Sequence, residues 1–447
     1  MSPAPRPSGT IRLARWFQMH PAQANAADEP LLHGLLLDPE VDPRTIERAS
    51  WSAIRETCRL PAPDAAPEAV AAWLEGDRFA LDLLHSTQLT LLEIERPLTR
   101  LRRWLLLESR RAAWPAVCDA LIAQAAHHGG TWLFAPDEAD ALAGAPDFAP
   151  AYLPPPPGMA TPDYTDPVTR AVAAQYSDWP YPVWQRAMTA PSERLSGIRT
   201  RMGAAPLPAN ARLLVAGCGT GREAQRLAMS APEASVTGID LSSASLAWAR
   251  AHCDAPNLTL ERRDLHTAPE IGPFDHIASS GVLHHLPDPE SGWAALTEAL
   301  APGGTMRIML YSRIARLQVQ AARRLIADLI DRPVTADLIR QVRARIIAAD
   351  FQPIIDSVSF YSMGGIHDLL LHRHEDPFDL PRIGRALDRF GLELLGFSLP
   401  GREATAAYRA AHSGDPAVRD LAALHAWERG HPRLFNGMYD FWCTRRT

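Results

Sequence analysis

Apolar positions along this chain follow two rhythms. Between residues 29 and 143 they recur at three- and four-residue intervals, with Leu81, Leu84, Leu91, Leu92, Leu98, Leu101, Leu105 and Leu106 as the clearest series. That spacing predicts helices that each bury one face. From residue 212 the rhythm changes to short apolar runs separated by helical stretches. Residues 213–216, 236–240, 258–263, 274–279 and 305–311 read as strands, with helices at 222–229, after Leu241-Ser242-Ser243, and at 292–300. Strands alternating with helices predict a parallel sheet covered on both faces. Past Tyr311 the alternation breaks. Residues 313–330, 336–349 and 381–390 read as helices, and 392–399 and 438–445 as strands.

The first strand runs into Ala216-Gly217-Cys218-Gly219-Thr220-Gly221, three glycines at alternate positions just before a helix. Glycine there permits positive φ and lets a ligand approach backbone N–H groups and the helix dipole. The second strand ends in an acid, Asp240, well placed for the ribose diol of a nucleoside. The third closes on Asp264, and the fourth leads into Ser280-Gly281-Val282-Leu283-His284-His285-Leu286-Pro287-Asp288. The dinucleotide fingerprint G-x-G-x-x-G/A is not met, because Arg222 stands at its third glycine position.

The G-x-G-x-G pattern resembles the first motif of class I S-adenosyl-L-methionine (SAM)-dependent methyltransferases. Gly238-Ile239-Asp240-Leu241-Ser242, Val282-Leu283-His284-His285-Leu286-Pro287-Asp288-Pro289 and Leu300-Ala301-Pro302-Gly303-Gly304-Thr305 are similar to the motifs that follow it. This resemblance covers residues 212–311. Upstream, Gln175-Tyr176-Ser177-Asp178-Trp179-Pro180-Tyr181-Pro182-Val183-Trp184 interleaves aromatics with prolines and does not suit an ordinary core helix. It resembles a Gln-Tyr-x-x-x-Pro-Tyr-Pro-x-Trp segment that precedes the SAM motif in a bacterial group of the family. Members of that group often carry tetratricopeptide repeats upstream.

The resemblance implies an α/β fold, a Rossmann-like seven-stranded methyltransferase sheet, with SAM as cofactor and a closing antiparallel strand that residues 438–445 suit. It implies cofactor contacts at Val215, Ala216, Gly217, Cys218, Gly219 and Gly221, with the glycines lining the methionine and ribose portions. Asp240 would bind the ribose diol, Leu241 the adenine face, and Asp264 with Leu265 the adenine amino group. Ser280 and Gly281 would flank the transferring methyl. The aromatic segment is expected to be a lid with Tyr176 and Tyr181 nearest the cofactor, or else a strap on the sheet edge. One position departs from the family, which commonly has an acid two residues before the first glycine, near the methionine amino group. Here Val215 stands there, and Gln175 and Tyr176 are the residues placed to compensate.

For the acceptor's proton, His284 and His285 are the first candidates, since histidine acts as a base near neutral pH. Packing or loop orientation is their competing role. Tyr311 and Tyr361 are further candidates. His367, His372, His374 and Glu375 form no tetrahedral set at helix or strand spacing, so no metal is expected.

Composition narrows the partners. A net charge of −6 gives no global pull towards nucleic acid or an anionic membrane. Arg96, Arg100, Arg102, Arg103, Arg110 and Arg111, and later Arg313, Arg316, Arg323 and Arg324, read as solvated helix faces or as contacts to an acidic partner. His127-His128-Gly129-Gly130 reads as a helix end. Cys58, Cys118, Cys218, Cys253 and Cys443 lack a C-x-x-C pair, which fits reduced thiols and a cytoplasmic location. No apolar run approaches about 18 residues, so neither a signal peptide nor a membrane span is expected.

The expected organisation is a helical N-terminal domain over 1–150 and a Pro-rich linker and aromatic lid over 151–200, with four consecutive prolines at 154–157. A SAM-binding core over 201–312, a helical cap insertion over 313–390 and closing strands over 391–447 complete it. The function expected is methyl transfer to a small-molecule or peptide acceptor, with a possible protein partner docking on residues 1–150. The alternatives are a non-catalytic SAM-binding interaction module, for which Val215 speaks, and an RNA or tRNA methyltransferase, for which the arginine clusters speak.

Overall fold

The computed structural model of the protein describes residues 9–39, 41–57, 60–153, 166–184 and 193–445. The expected linker prolines at 154–157 lie outside them. The chain forms two compact units. One contains Met1–Pro157, Val183–Ser192 and Ala322–Leu371, and the other Gly158–Pro182, Glu193–Ala321 and His372–Thr447.

The second unit is built on one seven-stranded sheet in the order β3-β2-β1-β4-β5-β7-β6. The strands are β1 Arg212–Ala216, β2 Ser235–Asp240, β3 Leu258–Arg262, β4 Phe274–Ser280, β5 Leu300–Tyr311, β6 Leu392–Phe397 and β7 Met438–Arg445. The first five are parallel, and β7 runs antiparallel between β5 and β6. Strand period two divides the core. Leu214, Ala216, Ile239, Ile277, Ile308 and Phe441 pack on one face, and Leu213, Val215, Val236, Ala278 and Trp442 on the other. Both faces are covered, which is why the parallel strands read as continuous apolar runs. β5 begins at Leu300, earlier than expected, because Ala301-Pro302-Gly303-Gly304 stays with the strand through a register irregularity against β4.

The chain leaves β1 towards β2 and β3 on one side and returns to β4 and β5 on the other. The crevice at the carboxyl ends of β1 and β4 is thus the switch point where ligands of such sheets sit. The aromatic segment reaches it in a form its prolines conceal. Pro167–Asp178 is a helix, because the Asp166 carboxylate accepts from the Thr169 N–H at 2.6 Å and Pro167 sits in its first turn. The helix stops ahead of Trp179-Pro180, where a residue preceding proline disfavours helical backbone.

The first unit is helical among its described residues, with a core that holds Phe17, Trp51, Leu98, Leu101, Leu105 and Trp132. Its arginines are largely committed within the fold. Arg102 is fully buried, with its guanidinium 3.8 Å from the Tyr152 ring centroid and hydrogen bonds to the Leu133 and Ala151 carbonyls. Arg103 pairs with Asp137, Arg111 with Asp147, and Arg100 donates to the Pro63 and Ala65 carbonyls. Arg343, on the Ala336–Ala348 helix, makes a buried bidentate pair with Glu95 at 2.5 and 2.6 Å. That pair explains why residues 322–371 group with the N-terminal helices. The Pro115–His128 helix ends on Gly129 at φ 67°, and His128 Nδ1 accepts from the Gly130 and Thr131 N–H groups at 3.0 Å.

Candidate active site at the carboxyl ends of β1 and β4

The glycine turn is shaped by two crowded positions and one open one. At Gly217, φ is 71° and an added Cβ would lie 2.4 Å from a Val282 methyl; at Gly221, φ is 86° and the Cβ would lie 2.6 Å from the Cys253 sulfur. Only glycine fits either place. At Gly219 the nearest atom to such a Cβ is the Tyr181 carbonyl oxygen at 3.6 Å, so this residue faces a cradle a side chain would fill. Asp240 ends β2 beneath the turn. One carboxylate oxygen accepts from the Gly219 N–H at 2.7 Å and the other from the Ser242 N–H at 2.8 Å. Burial pushes the Asp240 pKa up, and these backbone N–H groups oppose the rise.

Two hydroxyls fasten the aromatic segment to this corner. Ser242 Oγ donates to the Tyr176 carbonyl at 3.2 Å and Thr220 Oγ1 to the Pro182 carbonyl at 2.6 Å. Leu241 is half-buried, and its carbonyl accepts from Arg262 at 3.2 Å. Asp264 caps the short helical turn Leu265–Thr267 and pairs with His266 at 2.8 Å, which holds its carboxyl below the usual range, while Leu265 is buried in the sheet core. Cys218 is buried, and burial pushes its thiol up. Ala216 and Val215 face opposite apolar clusters, so only their backbones are available to a ligand.

Across the crevice stands a wall of rings. Tyr311, at the end of β5, lies 3.9 Å from His284, which lies 4.3 Å from His285, which stacks at 3.7 Å on His372. The Tyr176 hydroxyl reaches to 3.5 Å from His372 Nε2. His284 is fully buried, and its Nδ1 accepts from the Tyr311 N–H at 3.2 Å. Its proton is therefore on Nε2, and burial holds its pKa well below the ordinary value. His285 donates Nδ1–H to the His374 carbonyl at 2.9 Å, so the neutral ring keeps its lone pair on Nε2; burial lowers its pKa to about 4. Arg316 stacks over Tyr311 at 4.1 Å and pairs with Glu375. Ser280 leaves its hydroxyl without a partner among the described residues, and Gly281 at φ 75° donates to the Met309 carbonyl at 3.2 Å. Tyr361 and His367 belong to the helical unit, where Arg343 lies 5.6 Å from the Tyr361 ring.

Comparison with known proteins agrees with the geometry. Residues 214–306 match a family model described as "Methyltransferase domain". That span holds the glycine turn, Asp240 and two of the wall's three histidines, His284 and His285. The chain carries a class I SAM-dependent methyltransferase domain. It also belongs to the family of an uncharacterized protein of Synechococcus sp., with 30% identity over 288 residues, 59% of this chain and 68% of the relative. A trans-aconitate 2-methyltransferase of Deinococcus radiodurans is 39% identical over 100 residues, which are 22% of this chain and 38% of the relative. The chain thus spans well under half the length of that named relative. Among solved structures, PKMT2 from Rickettsia typhi in complex with AdoHcy is similar at 17% identity and a TM-score of 0.45, over 60% of this chain and 56% of that one.

The cofactor of the methyltransferase domain is SAM, and the crevice fits it on its own terms. Gly219 leaves a cradle, Asp240 keeps lone pairs beside it, and the Ser280 hydroxyl at the end of β4 has no partner among the described residues. Sequence reasoning missed the fastening roles of Thr220 and Ser242 and the Arg316–Glu375 pair. Thr220 lies inside the glycine motif and Ser242 directly after Leu241, but nothing in the sequence shows that a segment 38 and 66 residues upstream lies across them.

Proposed function

We propose that the protein transfers the methyl group of SAM to a small organic molecule or a peptide side chain. The observation that carries this reading is the crevice itself: a glycine cradle and Asp240 on one side, the Tyr311–His284–His285–His372 ring wall on the other, and the Tyr176 segment fastened across. SAM supplies an electrophilic methyl on a sulfonium. The protein's own part is to hold, orient and exclude water. Gly217, Gly219 and Gly221 bind through backbone groups, Asp240 binds the ribose diol, and Leu241, Asp264 and Leu265 border the adenine. Ser280 and Gly281 border the reacting methyl. His285 Nε2 accepts the acceptor's proton, while His284 holds Tyr311 and the end of β5 in place.

An aromatic-walled crevice supports a compact acceptor, and the Deinococcus relative is likewise named for a small organic acid. The commitment of Arg100, Arg102, Arg103 and Arg111 to internal partners removes much of the support for an RNA acceptor. Calorimetric titration with SAM and S-adenosylhomocysteine, beside Asp240→Ala, tests the reading. Charge-assisted hydrogen bonds contribute about 1.5–3 kcal/mol each, so the variant should bind a hundredfold or more weaker. Failure of the intact protein to bind either compound refutes the reading, whereas binding justifies a labelled-methyl screen of cell extracts.

A further inference from the structure

Gln175 presents a problem that the fold does not solve. The residue is 4% exposed, and neither its side-chain oxygen nor its nitrogen has a hydrogen-bond partner among the described residues. A buried carboxamide with both ends unsatisfied is rare and disfavoured unless something outside the chain completes it. Its position narrows what that is. The next residue, Tyr176, lends its carbonyl to Ser242 Oγ at 3.2 Å, and the Ser242 N–H donates to Asp240 at 2.8 Å. Gln175 is therefore one residue from the backbone that rests on the Asp240 corner. At the carboxyl end of β4, the Ser280 hydroxyl also lacks a partner among the described residues.

The chemistry of the missing acid points the same way. Val215 is buried in an apolar cluster and offers no charge to an amino group. An amino-acid terminus presents an ammonium donor and a carboxylate acceptor together. A carboxamide carries an acceptor oxygen and a donor nitrogen on one group, so it answers both. Being neutral, it needs no buried counter-charge. We propose that the Gln175 carboxamide holds the amino-acid end of SAM, in place of the acid absent at Val215. This rests on the function proposed above and assigns one end of the cofactor to the Pro167–Asp178 helix.

The test is calorimetric titration of the full chain and of Gln175→Leu with two probes. S-adenosylhomocysteine has the amino-acid end, and 5′-methylthioadenosine lacks it. The variant should bind the first about ten- to a hundredfold more weakly and the second unchanged. The melting temperature without ligand should hold or rise, since an unsatisfied buried amide has been removed. Gln175→Glu, which keeps an acceptor for the ammonium, should bind S-adenosylhomocysteine more tightly than Gln175→Leu; if the leucine variant does not fold, a glutamate variant that loses affinity for both probes alike overturns the assignment. Equal weakening of both probes in Gln175→Leu overturns it as well, because the helix rather than the amide would be at fault. Unchanged affinity for S-adenosylhomocysteine overturns it too. An intact protein that binds neither probe overturns the proposed function and this assignment together, whereas binding by the intact protein with no discrimination by the variant overturns the assignment alone.

Discussion

Gly217→Ala offers a sharp test of how the glycine turn is built. The substitution meets two separate obstacles. At φ 71° an alanine is strained, by about 1–2 kcal/mol. Its Cβ would also stand 2.4 and 2.7 Å from the two methyls of Val282, and such overpacking costs about 1–3 kcal/mol. Together the penalty is about 2–5 kcal/mol, of which only the second part involves Val282. Val282→Ala removes both methyls, so the double variant should retain the strain and lose the clash. The coupling between the two substitutions should then be about 1–3 kcal/mol in favour of the pair. Because the chain has two units, global unfolding is a poor probe, and hydrogen exchange of the β1 amides reports the sheet unit by itself. Those amides should exchange roughly thirtyfold to a few thousandfold faster in Gly217→Ala and recover part of their protection in the double variant. If the two substitutions add to within about 0.5 kcal/mol, the crowding at Val282 is not what requires glycine there.

Two buried histidines of the sheet unit make its stability fall with pH. His285 and His276 are held near pKa values of about 4 and about 3, in each case chiefly by burial. Below about pH 6.5 the unfolded chain takes up protons that the folded rings refuse, so stability is complete above that value and declines until the folded pKa values are reached. At pH 5 the loss is about 2 kcal/mol per histidine, read as lower hydrogen-exchange protection of the β4 amides, after correction for the intrinsic exchange rate, than at pH 7.5. Histidine resonances titrating near 6.5 at both positions would sink this account. In the helical unit, Arg343→Met strands the Glu95 carboxylate in the core and should cost about 3–5 kcal/mol, while Arg343→Met with Glu95→Leu should recover most of that. A double variant as unstable as the sum of its parts would show that the pair is not the tie between the helices.

The strands were legible because their signals are local. Apolar runs, the glycine spacing and the acid ending β2 each follow from backbone geometry within a few residues, so the strands and the glycine turn could be expected from residues 212–311, whereas the strand order depends on pairing between distant segments. The N-terminal helices announced themselves through the spacing of Leu98, Leu101 and Leu105 for the same reason. Tertiary structure decided everything that depends on distant segments meeting. It drew residues 322–371 to the helical unit through Arg343 and Glu95, buried Arg102 of the Leu92–Leu107 helix against backbone carbonyls, and paired Arg103 with Asp137 at the surface. It stacked His372 on His285, fixed which nitrogen of His284 and of His285 holds the proton, and left the Gln175 amide buried without a partner among the described residues. A sequence records which groups can form hydrogen bonds and ion pairs. Which of them become buried, and which find partners there, follows from packing between segments far apart in the chain, and on that the chemistry of the crevice depends.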